Sequence, residues 1–137
     1  MTDSKELEEG SELSVDFTKI FQIAEGNNMV VPVVVQDAVT KDVLIIAYVN
    51  EEALLETFKR GEAVFYSTSR NELWHKGATS GDILAVDEVR INCEQNSLLY
   101  LVQPKGQGAC HTKDKDGNHR SSCYYRSVDK SGKLRLV

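Results

Sequence analysis

Met29-Val30-Val31-Pro32-Val33-Val34-Val35-Gln36-Asp37, and the run Val43-Leu44-Ile45-Ile46-Ala47-Tyr48-Val49 after the Thr40-Lys41-Asp42 turn, decide the fold class. Both runs are rich in β-branched residues and continuously apolar, the pattern of strands buried on both faces. The short polar turn between them predicts a hairpin. Asn50 then has the chemistry of a helix N-cap. Glu51 and Glu52 lie in the first turn, where carboxylates favour the helix dipole, and Lys59, Arg60 and Gly61 close the segment. A helix is therefore predicted through Ala53, Leu54, Leu55, Thr57 and Phe58.

Further along, Glu62 to Thr68 predicts a third strand, and Ser67 to Gly81 a long polar stretch. Ile83 to Cys93 alternates loosely, with Ile83, Ala85, Asp87, Val89, Ile91 and Cys93 on one side. Ser97 to Gln103 predicts a buried strand, joined to it by the tight loop Glu94-Gln95-Asn96. Pro104 to Gly108 breaks the sheet, and Lys115-Asp116-Gly117-Asn118 marks a turn. Ser122 to Val128 and Leu134 to Val137 predict two closing strands around Lys130-Ser131-Gly132-Lys133. Upstream of the first run, Val15 to Ala24 fits a short amphipathic helix with Phe17, Ile20 and Phe21 on one side. Residues 1–14 are acidic and polar, and are expected to form a flexible tail. The expected fold class is mainly β (α+β): a twisted antiparallel sheet with one or two short helices, in a single domain over 15–137.

The chain has 137 residues, 41% of them apolar and 27% charged, ordinary for one globular domain. A net charge of −5 argues against a general nucleic-acid binder, which needs a basic surface, but permits a local basic site for a small phosphorylated ligand. No apolar run approaches the roughly 20 residues that span a bilayer. The N-terminal residues lack an apolar signal core, so a cytoplasmic location is expected.

Chemistry-bearing residues concentrate in three places. The first is Ser67-Thr68-Ser69-Arg70-Asn71-Glu72-Leu73-Trp74-His75-Lys76-Gly77-Ala78-Thr79-Ser80-Gly81. Its hydroxyls, Arg70 and Lys76 can donate to phosphate oxygens, and Trp74 offers a face for stacking or braces the core. The second is the cysteine set Cys93, Cys110 and Cys123. An odd count without a secretion signal is poor material for disulfides. The thiols are either small buried hydrophobes or three thiolates on one metal. His111, beside Cys110, could be a fourth ligand or an acid–base group. The third is Asn92, Glu94 and Asn96, oxygen-bearing residues on one face of an extended segment. They serve either a polar hairpin loop or a hard cation.

Leu73 to Gly81, the Cys93 hairpin, Gly108-Ala109-Cys110-His111-Thr112 and Ser122-Cys123-Tyr124-Tyr125-Arg126 resemble, in this order, the phosphoribosyl-AMP cyclohydrolases of histidine biosynthesis. Val35-Gln36-Asp37, Ala47 to Leu54 and Tyr66 to Arg70 extend the resemblance over about residues 30 to 126. It implies hydrolytic opening of the adenine ring of 1-(5-phosphoribosyl)-AMP between N1 and C6. It further implies Zn²⁺ at Cys93, Cys110 and Cys123, in an intertwined homodimer whose metal ligands come from both subunits. It implies Mg²⁺ at Asn92, Glu94 and Asn96. The family carries three aspartates there, so two amides should weaken that site or shift it to other ligands. The spacer between Cys110 and Cys123 is also longer than in the family, the excess lying in Lys113 to Arg120. No stretch resembles the pyrophosphohydrolase domain often fused downstream, so a single activity is expected.

On this reading His111 is the proton shuttle. Ser67, Ser69, Arg70, Trp74, Lys76, Thr79, Ser80 and Arg120 bind the doubly phosphorylated substrate. His75 and His119 are expected on the solvated surface, and Asp87 and Glu88 as surface charges. The competing reading is a zinc-stabilised β module that binds a phosphorylated metabolite or partner without catalysis. A nucleobase deaminase is disfavoured, because the H-x-E…P-C-x-x-C signature is absent.

Overall fold

The computed structural model describes residues 3–137. In chain order the elements are α1 (Ser4–Glu9), α2 (Lys19–Glu25), β1 (Val31–Asp37), β2 (Val43–Val49), α3 (Glu51–Arg60), β3 (Val64–Ser67), β4 (Glu72–His75), β5 (Leu84–Ile91), β6 (Leu98–Pro104), β7 (Arg126–Val128) and β8 (Leu134–Leu136). A four-stranded sheet has the order β2-β1-β6-β5, and two small hairpins, β3-β4 and β7-β8, accompany it. The α+β class expected from the sequence is what the strands and short helices form.

The main sheet is mixed, which corrects the expected antiparallel one. β1 and β2 pair antiparallel, as do β5 and β6, but β6 lies parallel to β1 from Val33 opposite Leu98 to Asp37 opposite Val102. Turn signals set direction within each hairpin. They carry no information on how one hairpin meets another after an intervening helix. Pro32, which has no N–H to give, stands opposite Tyr48 just before the β6 pairing begins.

One face of this sheet carries the core. Val33 and Val35, Leu44, Ala47 and Val49, and Leu98, Tyr100 and Val102 pack against Ala53 of α3 and Ala63, Val64 and Phe65. The Phe65 ring lies 5.5 Å from that of Trp74 and 6.2 Å from that of Tyr100. The opposite face is open in the single chain: Val34 is half-buried, and Val43 and Ile46 are exposed. The two-sided burial expected for β1 and β2 therefore holds on one side only.

α3 forms as its sequence dictates. Asn50 Oδ1 accepts the Ala53 N–H at 2.9 Å, and Gly61 adopts the left-handed conformation at the other end. Thr57 fastens the helix to β3, its hydroxyl donating to Ala53 O at 2.9 Å and accepting the Val64 N–H at 3.0 Å. α2 starts four residues later than expected. Only Ile23 of that helix is buried, while Phe17, Ile20 and Phe21 are exposed.

Two further differences bear on the site. The polar stretch after Ser67 contains a strand, β4, folded back on β3 with Phe65 opposite Trp74. In β5 a bulge between Val86 and Glu88 shifts the alternation. Leu84 and Val86 before it, and Val89 and Ile91 after it, then stand opposite Pro104, Val102, Tyr100 and Leu98. The loose alternation expected from Ile83 to Cys93 put Ala85 and Asp87 on the side of Val89 and Ile91; the bulge puts Leu84 and Val86 there instead. Residues 3–14 were expected as a tail; they carry α1, capped by Asp3, and lie against β7 and β8. No helix among the described residues is long and apolar enough to cross a membrane.

Candidate metal and phosphate site

The long spacer between Cys110 and Cys123 folds back on itself. Cys110 N donates to Arg120 O at 3.0 Å, and Arg120 N to Thr112 O at 3.0 Å, so residues 109–112 run beside 119–121. Gly108 is required here, because a Cβ would sit 2.3 Å from Arg120 O. The segment is then tied to the sheet, Cys123 N donating to Leu44 O at 2.7 Å and Ser122 Oγ to Val43 O at 2.7 Å.

This brings Cys110 and Cys123 together. Cys110 is buried, and Thr112 Oγ1 lies 3.0 Å from its sulfur. Burial, reinforced by the adjacent Cys110 sulfur, pushes the Cys123 thiol up to about 12, while the Lys76 charge pulls it down. Lys76 is only 6% exposed, with Nζ 5.7 Å from the Trp74 ring centroid. This candidate phosphate donor sits in the interior, where its charge acts on the Cys123 thiol. Two facing sulfurs are soft donors, and a bound soft dication would displace their protons. The residues therefore fit zinc, with further ligands required. Cys93 is exposed on the β5–β6 loop, and no three His, Cys, Asp or Glu side chains among the described residues converge within one chain.

The Cys93 loop is held by its own side chains. Asn92 Oδ1 accepts the N–H groups of Asn96 and Ser97, both at 2.9 Å, and Asn92 Nδ2 donates to Asn96 Oδ1 at 2.7 Å. Both amide oxygens are thus engaged inside the loop, and Glu94 Oε2 is 3.5 Å from Asn96 Nδ2. The set fits a hairpin cap well and a directly bound Mg²⁺ poorly.

Of the substrate-binding candidates, Ser67, Ser69 and Arg70 share the β3–β4 turn. Arg70 N and Nε both lie 3.3 Å from Ser67 Oγ, and Nη1 is 3.6 Å from Glu72. Thr79 and Ser80 are exposed, Ser80 Oγ accepting the Asp82 N–H at 3.2 Å. Arg120 lies with its guanidinium carbon 4.1 Å from the Tyr125 ring centroid, and its Nη1 is buried without a hydrogen-bond partner. It borders a cleft of about 710 Å³ that Ser121, Ser122 and Lys115 also line. A buried, unpaired guanidinium nitrogen at a cleft is suited to a phosphate oxygen.

His111 bonds Glu8 and neither sulfur. Its imidazole is 79% exposed, with Nε2 2.5 Å from Glu8 Oε2. The other two histidines are not free on the surface, contrary to expectation. His75 Nε2 lies 2.8 Å from Glu62 Oε1, and His119 Nδ1 bonds the Asp82 carboxylate. Asp82, 5% exposed, also accepts the Gln107 N–H at 2.8 Å. Burial alone would raise the Asp82 carboxyl; the bonds from His119, Gln107 and Gly108 outweigh it and hold it below 3.8. Sequence reasoning missed this pair, which packs the loop before β5 against the segment leading into Cys110. The one available signal was Gly106, where a Cβ would lie 2.2 Å from Asp82 Oδ1.

The family model described as phosphoribosyl-AMP cyclohydrolase matches residues 45–125. A phosphoribosyl-AMP cyclohydrolase of Haloarcula marismortui is 54% identical over 99 residues, covering 72% of this chain and 77% of that protein. One of Halobacterium salinarum is 43% identical over 118 residues, covering 86% and 85%, respectively. One of Archaeoglobus fulgidus is 50% identical over 99 residues, covering 72% and 85%.

Proposed function

The chain belongs to the phosphoribosyl-AMP cyclohydrolase family and is an enzyme of histidine biosynthesis, and on that premise we propose that it opens the adenine ring of 1-(5-phosphoribosyl)-AMP with water activated at a zinc site held by Cys110, Cys123 and the partner subunit's Cys93. The observation that carries the proposal is the meeting of Cys110 and Cys123 beside the buried Lys76, inside the matched region.

When bound, zinc supplies the Lewis acidity that makes water a strong nucleophile at neutral pH. The water oxygen bonds to C6 of the purine and the N1–C6 bond breaks. C6 becomes a carboxamide and N1 stays in the formimino group; one water proton ends on the released N1 and the other on the exocyclic nitrogen that becomes the carboxamide NH2. His111, next in sequence to Cys110, moves one of these protons. Its bond to Glu8 rather than to sulfur supports hydrolysis over a site closed by a fourth protein ligand. Lys76 balances the negative charge of the thiolates. Arg120, Ser121 and Ser122 hold one substrate phosphate, and Arg70 with Ser67 and Ser69 receives the other. Thr79 and Ser80 contribute hydroxyls, and Trp74 braces the loop through Phe65.

The enzyme is a cytoplasmic homodimer on this account. The exposed Phe17, Ile20 and Phe21 and the open face at Val43 and Ile46 are apolar surface that a second subunit would cover. Cys93→Ser protein and a Cys110→Ser/Cys123→Ser double variant should each be inactive. After subunit exchange, mixing them should restore up to about a quarter of the activity, since random pairing yields one intact site in half of the dimers. No recovery after verified exchange would count against a shared site.

Mg²⁺ acts through the substrate phosphates, because the Asn92 and Asn96 oxygens are engaged in the loop. Glu94→Gln, and Asn92→Asp with Asn96→Asp, should therefore leave the Mg²⁺ concentration for half-maximal activity within about twofold of the parent. A several-fold shift at constant zinc would restore the hairpin as a direct ligand set.

A further inference from the structure

The segment ahead of the family-matched region is anchored just beyond Cys123. Arg126 Nη2 donates to Leu7 O at 2.7 Å and Nη1 to Gly10 O at 3.1 Å, while Tyr125 OH donates to Glu8 O at 2.6 Å. Leu134 N donates to Ser11 O at 2.9 Å and Leu13 N to Gly132 O at 3.1 Å, and Lys133 pairs with Glu12. Between these segments lies a cavity of about 230 Å³ lined by Leu7, Leu13 and Val15 on one side and Cys123 and Tyr124 on the other.

From this anchored stretch Glu8 reaches His111, 103 residues away in sequence, at 2.5 Å. The contact is unequal. The Glu8 backbone is fixed by Tyr125, whereas Glu8 is the only polar partner of the His111 ring among the described residues. A carboxylate that accepts from one imidazole nitrogen fixes the tautomer and the ring orientation, and leaves the other nitrogen as the basic one. Nothing in the composition of residues 1–14 marks Glu8 out from the other acids there; only the fold pairs it with His111.

We propose that Glu8 is a positioning residue for His111: its carboxylate, on a backbone anchored by Tyr125, holds the imidazole at Nε2 and fixes the orientation of the ring. This rests on the reading of His111 as proton carrier. The test is a double-variant cycle in the full-length, zinc-loaded protein with phosphoribosyl-AMP as substrate. Glu8→Gln should lower kcat about tenfold with KM changed less than about twofold, and Glu8→Asp should recover part of the loss. In a His111→Asn background Glu8→Gln should cost nothing further. A structural role for Glu8 would be felt equally in both backgrounds, and that result overturns the proposal, as does an unchanged or raised kcat in Glu8→Gln alone. Long-range ¹⁵N–¹H spectra should show the His111 hydrogen on Nε2 in the parent and lose that preference in Glu8→Gln. The same set separates the two layers. A His111→Asn enzyme with parental turnover removes the proton carrier itself. A crippled His111→Asn beside an unaffected Glu8→Gln removes only the role of Glu8.

Discussion

Replacing either Cys110 or Cys123 with serine is expected to reduce turnover by well over a hundredfold and to strip most of the bound zinc. Loss of groups that merely orient metal ligands already costs 10–100-fold, and a direct ligand must exceed that. The two sulfurs face each other in a pocket that excludes water from Cys110, and a serine hydroxyl there is a far poorer ligand for a borderline-soft ion. The fold should survive, because the segment is tied to β2 through backbone and Ser122 bonds that leave the thiols out. Zinc content by elemental analysis and turnover on the same sample form the check. A Cys110→Ser enzyme that keeps its zinc and its rate would remove that residue from the ligand set.

The second large effect is one of stability. Asp82→Ala is expected to cost about 3 kcal/mol, or about 10 °C in Tm, because it leaves the Gln107 N–H and His119 Nδ1 without their buried acceptor. The sign of its pH dependence follows from the depressed carboxyl. A group held below its ordinary value stabilises the fold fully above that value, 3.8, and loses the contribution as pH falls through the lowered one. Thermal melts of parent and Asp82→Ala should therefore differ by a constant amount near neutrality and converge below pH 3.8. A gap unchanged into strong acid would mean that the lost stability is packing alone. Asp82→Asn, which keeps one oxygen for the backbone donors, should fall between the two.

How much of this was legible in the sequence depends on whether the signal was local. The N-cap at Asn50, the Gly61 terminus and the β1–β2 and β5–β6 hairpins are set by neighbours within a few positions, and the structure has them as expected. The parallel join of β1 to β6 was not legible, because no residue near either strand encodes the direction of the other. β4 was hidden by Glu72 and His75, whose polarity suits a short hairpin as well as a loop. Among the site residues, the meeting of Cys110 and Cys123 could be expected only from the resemblance, since two cysteines separated by twelve residues carry no local signal that they will converge. Lys76 was read as a phosphate donor, and its charge alone does not say that it will be buried beside Trp74 and the thiols. The partners of His111 and His119 come from residues 103 and 37 positions away, a separation no periodicity reports.

The central claim is zinc-dependent ring opening, and the most direct measurement is a spectrophotometric assay with phosphoribosyl-AMP before chelation, after chelation and after zinc is restored. The account predicts ring opening by the purified enzyme, loss of at least about nine-tenths of it on removing zinc, and recovery on adding one zinc per site. Full activity in protein shown by elemental analysis to hold no zinc would contradict it.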